Sequence, residues 1–192
     1  MKLSKGSKLI ILGVLMVVID QIIKILVKTN MELGESIDVA GDWWKLHYVL
    51  NDGMAFGMAF GGVWGKLLLS LFRIGLFGGL VYWISKLVKR HDTPVGVLIG
   101  LTLITAGAVG NIIDCLFYGL IWPEVTMTGA PFAFMFGQVV DMFYFPLFDY
   151  KLPWMEYPRT FFGAVFNFAD SCVTVGAIYL LLFQYRFFSK EE

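Results

Sequence analysis

Acids and amides recur in this chain where an acid is costly. Asn111 and Asp114 stand three apart near the end of an apolar stretch, and Asn167 and Asp170 repeat that spacing at the start of another. Asp20 and Lys24, four apart in a third apolar stretch, share one helix face and can pair across a single turn. An ionisable side chain at mid-depth in a membrane span costs about 2.5–3.5 kcal/mol, so each of these needs a reason. Asp141 joins them from the apolar patch Gln138 to Met142, just ahead of a run of aromatics. Two carboxylates in one low-dielectric pocket cannot both ionise easily, so one keeps its proton. Such a pair holds a base that can activate water and an acid that can protonate a leaving amine. It would cleave an amide without metal or covalent nucleophile. The same acids could instead bind and release a proton or cation in a transporter. A Ser–Lys arrangement of Ser171 and Lys24 is a third option, although nothing in the sequence brings them together. His47 and His91 stand alone, no zinc-type spacing exists, and neither metal nor cofactor is expected.

The elements that must position these residues are membrane helices. Hydrophobic residues make up 58% of 192, more than a water-soluble domain of this size can hide. The formal net charge of zero gives no reason to expect a nucleic-acid partner. Cys115 and Cys172 both lie in apolar stretches, which suits small buried residues better than a disulfide. Stretches of about 20 residues at roughly 9–27, 65–84, 95–116 and 161–183 read as four spans of one all-α membrane domain covering residues 1–192. The first follows Lys2, Lys5 and Lys8 and lacks a small-x-small cleavage site, so it reads as a retained signal anchor. Lysines and arginines collect at the N-terminus, at Lys86, Lys89 and Arg90, and at Arg186 and Lys190. That places both termini and the short loop in the cytoplasm and the two long loops outside. Trp43, Trp44, Trp64, Trp122 and Trp154 then sit at the outer headgroup level. The aromatic stretch 143–157 reads either as part of that belt or as a lid over a site. Leu46 to Leu50 has strand character, and the tandem Gly-Met-Ala-Phe at 53–60 reads as one or two amphipathic turns.

Taken together, the motifs resemble the lipoprotein signal peptidases (signal peptidase II), bacterial membrane aspartic peptidases. Asp20-Gln21-x-x-Lys24 is similar to the family's Asp-Gln-x-x-Lys, and Asn51-Asp52-Gly53-Met54-Ala55-Phe56-Gly57 to its Asn-x-Gly-x-Ala-Phe-Gly. Gly110-Asn111-x-x-Asp114, Val139-Val140-Asp141 and Phe166-Asn167-Phe168-Ala169-Asp170-Ser171 follow in the family's order. The resemblance implies an inner-membrane enzyme, active without a cofactor and as a monomer among membrane lipids. It would remove the signal peptide from a diacylglyceryl-modified prolipoprotein, cutting before the lipidated cysteine near the outer face. Asp141 and Asp170 would be the catalytic dyad. Asn51, Gly53, Asn111, Asp114, Asn167 and Ala169 would position substrate and dyad, with Asp20 and Lys24 in support. The segment between the first two helices would form a small extracytoplasmic β-platform. One departure stands out: Cys115 follows Asp114 where the family carries arginine. Arg73, deep in the second span, is the candidate for supplying that charge. The connections from Asp114 to Asp141 and from Asp141 to Asp170 are also longer than the family's. The ion- or proton-transporter alternative is weakened because Asp141 lies outside any span and no broken midplane helix or inverted repeat is visible. A non-enzymatic assembly factor would leave the paired Asn-x-x-Asp motifs unexplained.

Overall fold

The computed structural model describes residues 3–53 and 62–188; the tandem repeat beyond Gly53 and the tail lysine Lys190 lie outside them. Helix α1 (Lys5–Asn30) starts where the Ser4 side chain accepts from the Ser7 backbone N–H. Helix α2 (Gly62–Lys89) and helix α3 (Val95–Ile113) follow, separated by a short turn at residues 90–94. Helix α3 runs on through a π-helical turn, Asp114–Tyr118, into the short α4, Gly119–Ile121. Among the described residues, three helical stretches are long and apolar enough to cross a membrane: Lys5–Asn30, Gly62–Lys89 and Val95–Ile121.

The fourth expected span is shorter than the hydropathy suggested. Helix α5 covers Phe168–Phe183, 16 residues, about 24 Å at 1.5 Å per residue. A hydrocarbon core is about 30 Å thick. The cause is local. The Asn167 side chain accepts from the Asp170 N–H while the Asp170 side chain accepts from the Asn167 N–H, a capping box that fixes the helix start. The residues before it are not helical: Arg159–Phe161 forms a strand, Phe162 turns with a φ of 61°, and Asn167 is extended. A short helix α6, Tyr185–Phe188, follows.

Helix α3 is the central element, with α1, α2 and α5 packed around it. Its closest neighbour is α5, and glycines let the two backbones approach. A Cβ on Gly176 would stand 2.7 Å from the Gly100 carbonyl oxygen, and one on Gly107 would strike the Ala169 carbonyl oxygen. Helix α2 turns most of its surface outward; Lys66, Ser70 and Leu87 are its buried residues.

Strands β1 (Ser36–Ala40), β2 (Trp44–Asn51) and β3 (Val139–Tyr144) form an antiparallel sheet in that order. The strand character of Leu46 to Leu50 is realised in β2. Asp141 differs from expectation: it sits on β3, a strand buried over residues 139–142, instead of in an outer loop. A short apolar run carries no periodicity that separates strand from loop. Strand β3 is held because Val140 and Met142 pack with Val27, Tyr48 and Tyr118 in one apolar cluster. The aromatic stretch after β3 folds into a second small sheet, β4 (Phe148–Tyr150) paired with β5 (Arg159–Phe161).

Candidate active site

Lys24 organises the inner part of the site. Its ammonium lies 3.0 Å from Asp20 and 2.7 Å from Asp114, and donates to the Asn111 Oδ1 at 2.9 Å. Three N–H donors thus meet three acceptors, which is what a fully buried ammonium requires. Gln21 adds hydrogen bonds to Asp20 and Asp114. Asp20 in turn accepts from the Ala169 N–H at 2.8 Å, so it pins the first turn of α5. Gly110 makes room for this: a Cβ there would lie 2.5 Å from the Asp20 Oδ2.

Two asparagines carry this order outward to the acids. Asn111, its Oδ1 anchored by Lys24, donates through Nδ2 to Asp170 Oδ1 at 2.8 Å. Asn167 donates to Asn111 Oδ1 at 3.1 Å and to Asp141 Oδ1 at 2.6 Å, while its own oxygen accepts from the Asp170 N–H at 2.9 Å. The second oxygen of Asp141 accepts from Asn51 Nδ2 at 2.9 Å. Sheet register explains that contact. Val49 stands opposite Asp141, and Asn51, two residues on, shares its face as a diagonal neighbour.

Asp141 and Asp170 come from different parts of the chain and are brought together by backbone pairing. Met135 and Gly137 dock on the π-helical turn, where Gly137 N–H donates to the Cys115 carbonyl at 3.0 Å. That turn frees a carbonyl that a regular helix would use internally. Strand β3 follows, and its Phe143 exchanges hydrogen bonds with Phe166 at 2.7 and 3.1 Å, one residue before Asn167. The acids open onto a cleft of about 1340 Å³, also lined by Asn51, Tyr150, Arg159 and Phe166. Burial, and after it the charge of nearby Asp170, push the Asp141 carboxyl from 3.8 up to about 7, against the opposing pull of the Asn51 and Asn167 amides. A buried acid protonated near neutrality beside a second acid is suited to splitting an amide with water.

The structure gathers Asp20, Lys24, Asn51, Gly53, Asn111, Asp114, Asp141, Asn167, Ala169 and Asp170 into one continuous network. Ser171 is engaged elsewhere, donating to the Asn167 carbonyl at 3.1 Å, so it does not meet Lys24. Cys115 and Cys172 are both buried free thiols. Arg73 reaches the position of the sequence departure, with its Nη1 3.6 Å from Cys115 Sγ. Lys66, overlooked in the sequence because it stands at the edge of the second apolar stretch, is buried against the same sulfur at 3.6 Å. Gln138 was also missed; it donates to Asp52 at 2.9 Å. A polar residue recurring at four- and three-residue steps through Lys66, Ser70 and Arg73 was the available signal.

A family model described as signal peptidase (SPase) II matches residues 12–186. The lipoprotein signal peptidase of Porphyromonas gingivalis is 44% identical over 194 residues, covering 94% of this chain and 84% of the relative. That of Amoebophilus asiaticus is 38% identical, covering 89% and 75%, and that of Symbiobacterium thermophilum 32% identical, covering 90% and 91%. Two solved structures of bacterial membrane enzymes share the fold. One superposes with a TM-score of 0.68 at 24% identity, covering 97% of this chain and 92% of the other. The second gives 0.63 at 25% identity, covering 92% and 91%.

Proposed function

The chain belongs to the signal peptidase II family, and from that premise we propose that Asp141 and Asp170 form its catalytic dyad. As a member it is an aspartic-type membrane peptidase that processes prolipoproteins, which sets aside the ion-transport alternative. The observation that carries the dyad is the shared asparagine: Asn167 binds Asp141 through its amide and caps the helix that bears Asp170.

In this reading the pair holds one proton near neutrality, resident on Asp141, whose carboxyl is raised to about 7 by burial and by Asp170. Asp170 sits in the first turn of α5, where its carboxylate accepts from the Asn111 side chain at 2.8 Å and from the Asn167 N–H. Asp170 takes a proton from water as its oxygen attacks the scissile carbonyl. Asp141 gives its proton to the leaving nitrogen as the C–N bond breaks, separating the signal peptide from the lipidated cysteine. Asn51 and Asn167 hold Asp141 throughout. Lys24, with Asp20 and Asp114, fixes the asparagines and touches no substrate.

The membrane frame completes the proposal. Helix α5, extended by α6, serves as the fourth span, with bilayer thinning or snorkelling covering its short length. Both termini face the cytoplasm and the cleft opens at the outer face, where the acyl chains of the substrate hold its peptide bond. The enzyme works as a monomer in contact with lipid. The test is cleavage of a diacylated prolipoprotein by purified enzyme in lipid, comparing wild type with Asp141→Asn and Asp170→Asn. Each substitution should lower kcat by about 10³-fold or more while the protein still inserts and folds. Substantial cleavage by either would end the dyad assignment.

A further inference from the structure

Two cations on α2 take no part in the mechanism above. Lys66, Ser70 and Arg73 form one stripe on a helix whose other faces turn outward. Lys66 is only 1% exposed. A cation buried in a span is costly, and among the described residues neither Lys66 nor Arg73 forms a salt bridge with a carboxylate. What they hold instead is backbone. The Lys66 ammonium donates to the Asp52 carbonyl at 2.9 Å, and the Arg73 guanidinium donates to the Gly53 carbonyl. Both also lie 3.6 Å from the Cys115 sulfur.

Those two carbonyls belong to the turn that leaves β2. Within it the Gly53 N–H donates to Asn51 Oδ1 at 2.8 Å, and Asn51 Nδ2 donates onward to Asp141 at 2.9 Å. Gly53 has a φ of +92°, and a Cβ there would sit 2.6 Å from Arg73 Nη1, so glycine is what lets the guanidinium close on the turn. We propose that Lys66 and Arg73 are positioning residues: by gripping the Asp52 and Gly53 carbonyls they aim the Asn51 amide at Asp141. Cys115, a small side chain, leaves the space into which both cations reach. The inference rests on the dyad reading, since a grip on Asn51 matters only if Asp141 reacts.

The experiment is a double-mutant cycle on prolipoprotein cleavage by the purified full chain in lipid, with kcat, KM and the pH profile measured. Arg73→Met and Lys66→Met together should lower kcat by about 10²-fold with KM changed less than about twofold, as expected for a misaimed group. The alkaline limb of kcat, set by loss of the Asp141 proton, should move to higher pH, because a loosened Asn51 no longer favours the charged carboxylate. Asn51→Ala should reproduce that shift, and adding the α2 substitutions to it should cost little more. Arg73→Lys should recover most of the activity lost by Arg73→Met. Fully multiplicative losses, or an unmoved alkaline limb, would overturn the proposal. If the Met variants do not accumulate, Lys66→Gln and Arg73→Gln are put through the same cycle and decide it by the same criteria. An active Asp141→Asn control would fail the dyad itself; a dead control with undiminished α2 variants would fail this inference alone.

Discussion

Asn167 is the residue on which most of the site's geometry converges. Its amide satisfies Asp141, Asn111 and the helix start at once. Asn167→Ala should lower kcat by about 10²-fold through misplacement and cost about 1 kcal/mol through the lost cap. Its pH signature has a definite sign. The Asp141 carboxyl stands near 7 against an ordinary 3.8, so the working proton is present below about pH 7 and lost above it. Wild-type kcat should therefore decline on the alkaline side with a limb near pH 7. Asn167→Ala removes a donor that favours the charged form, so the limb should move to higher pH. A pH–rate series on both proteins checks this; an unshifted limb in the variant would remove Asn167 from contact with the reacting acid. Linkage gives the matching stability statement. The folded-state value is raised, so this group's stabilising contribution is full below about 3.8 and lost as pH rises through about 7.

At the scale of elements, the α3–α5 contact decides whether the acids meet. Gly110 faces both Asp20 and Ala169, and a Cβ there would lie 3.0 Å from the Ala169 Cβ. Gly110→Ala should cost about 1–3 kcal/mol by overpacking and reduce activity with it. Gly78→Ala on α2, where a Cβ would meet nothing within 4 Å, should leave both unchanged. Thermal unfolding in detergent and a cleavage assay measure the difference. Much of this layout was legible in the sequence. The three long helices follow from hydropathy, and β2 from its composition. Asp20 and Lys24 pair across one turn because their spacing demands it. Three features were not legible. The capping box at Asn167 shortened the fourth apolar stretch, since hydropathy does not register a side chain's bond to the backbone. Strand β3 was hidden because a run buried on both faces has no alternation. The partnership of Lys66 with Cys115 spans 49 residues of sequence and has no local signature.

At the scale of the whole molecule, the β1–β3 sheet, the cleft and the β4–β5 hairpin belong with one end of the helices, and orientation in the membrane becomes testable. Trp154 is 78% exposed on the hairpin side, and His91 is exposed in the turn between α2 and α3. Cys115 and Cys172 are buried, so a thiol introduced at either exposed place should dominate labelling. In intact cells stripped of any outer barrier, Trp154→Cys should react with a membrane-impermeant maleimide, whereas His91→Cys should react only after permeabilisation. The opposite pattern would invert the proposed topology.

The bond from the Ala169 N–H to Asp20 joins residues 149 apart in the chain. Its consequence concerns time as much as space. During synthesis the first helix enters the membrane carrying Asp20 and Lys24, but the acid at position 170 and the amide at 167 arrive with the last. Until that final helix docks, Asp141 has neither its partner nor one of the two amides that hold it. On the proposed dyad, a nascent or truncated chain would be inert towards neighbouring polypeptides in the translocation machinery, with hydrolytic competence beginning only once the helix that bears Asp170 has docked.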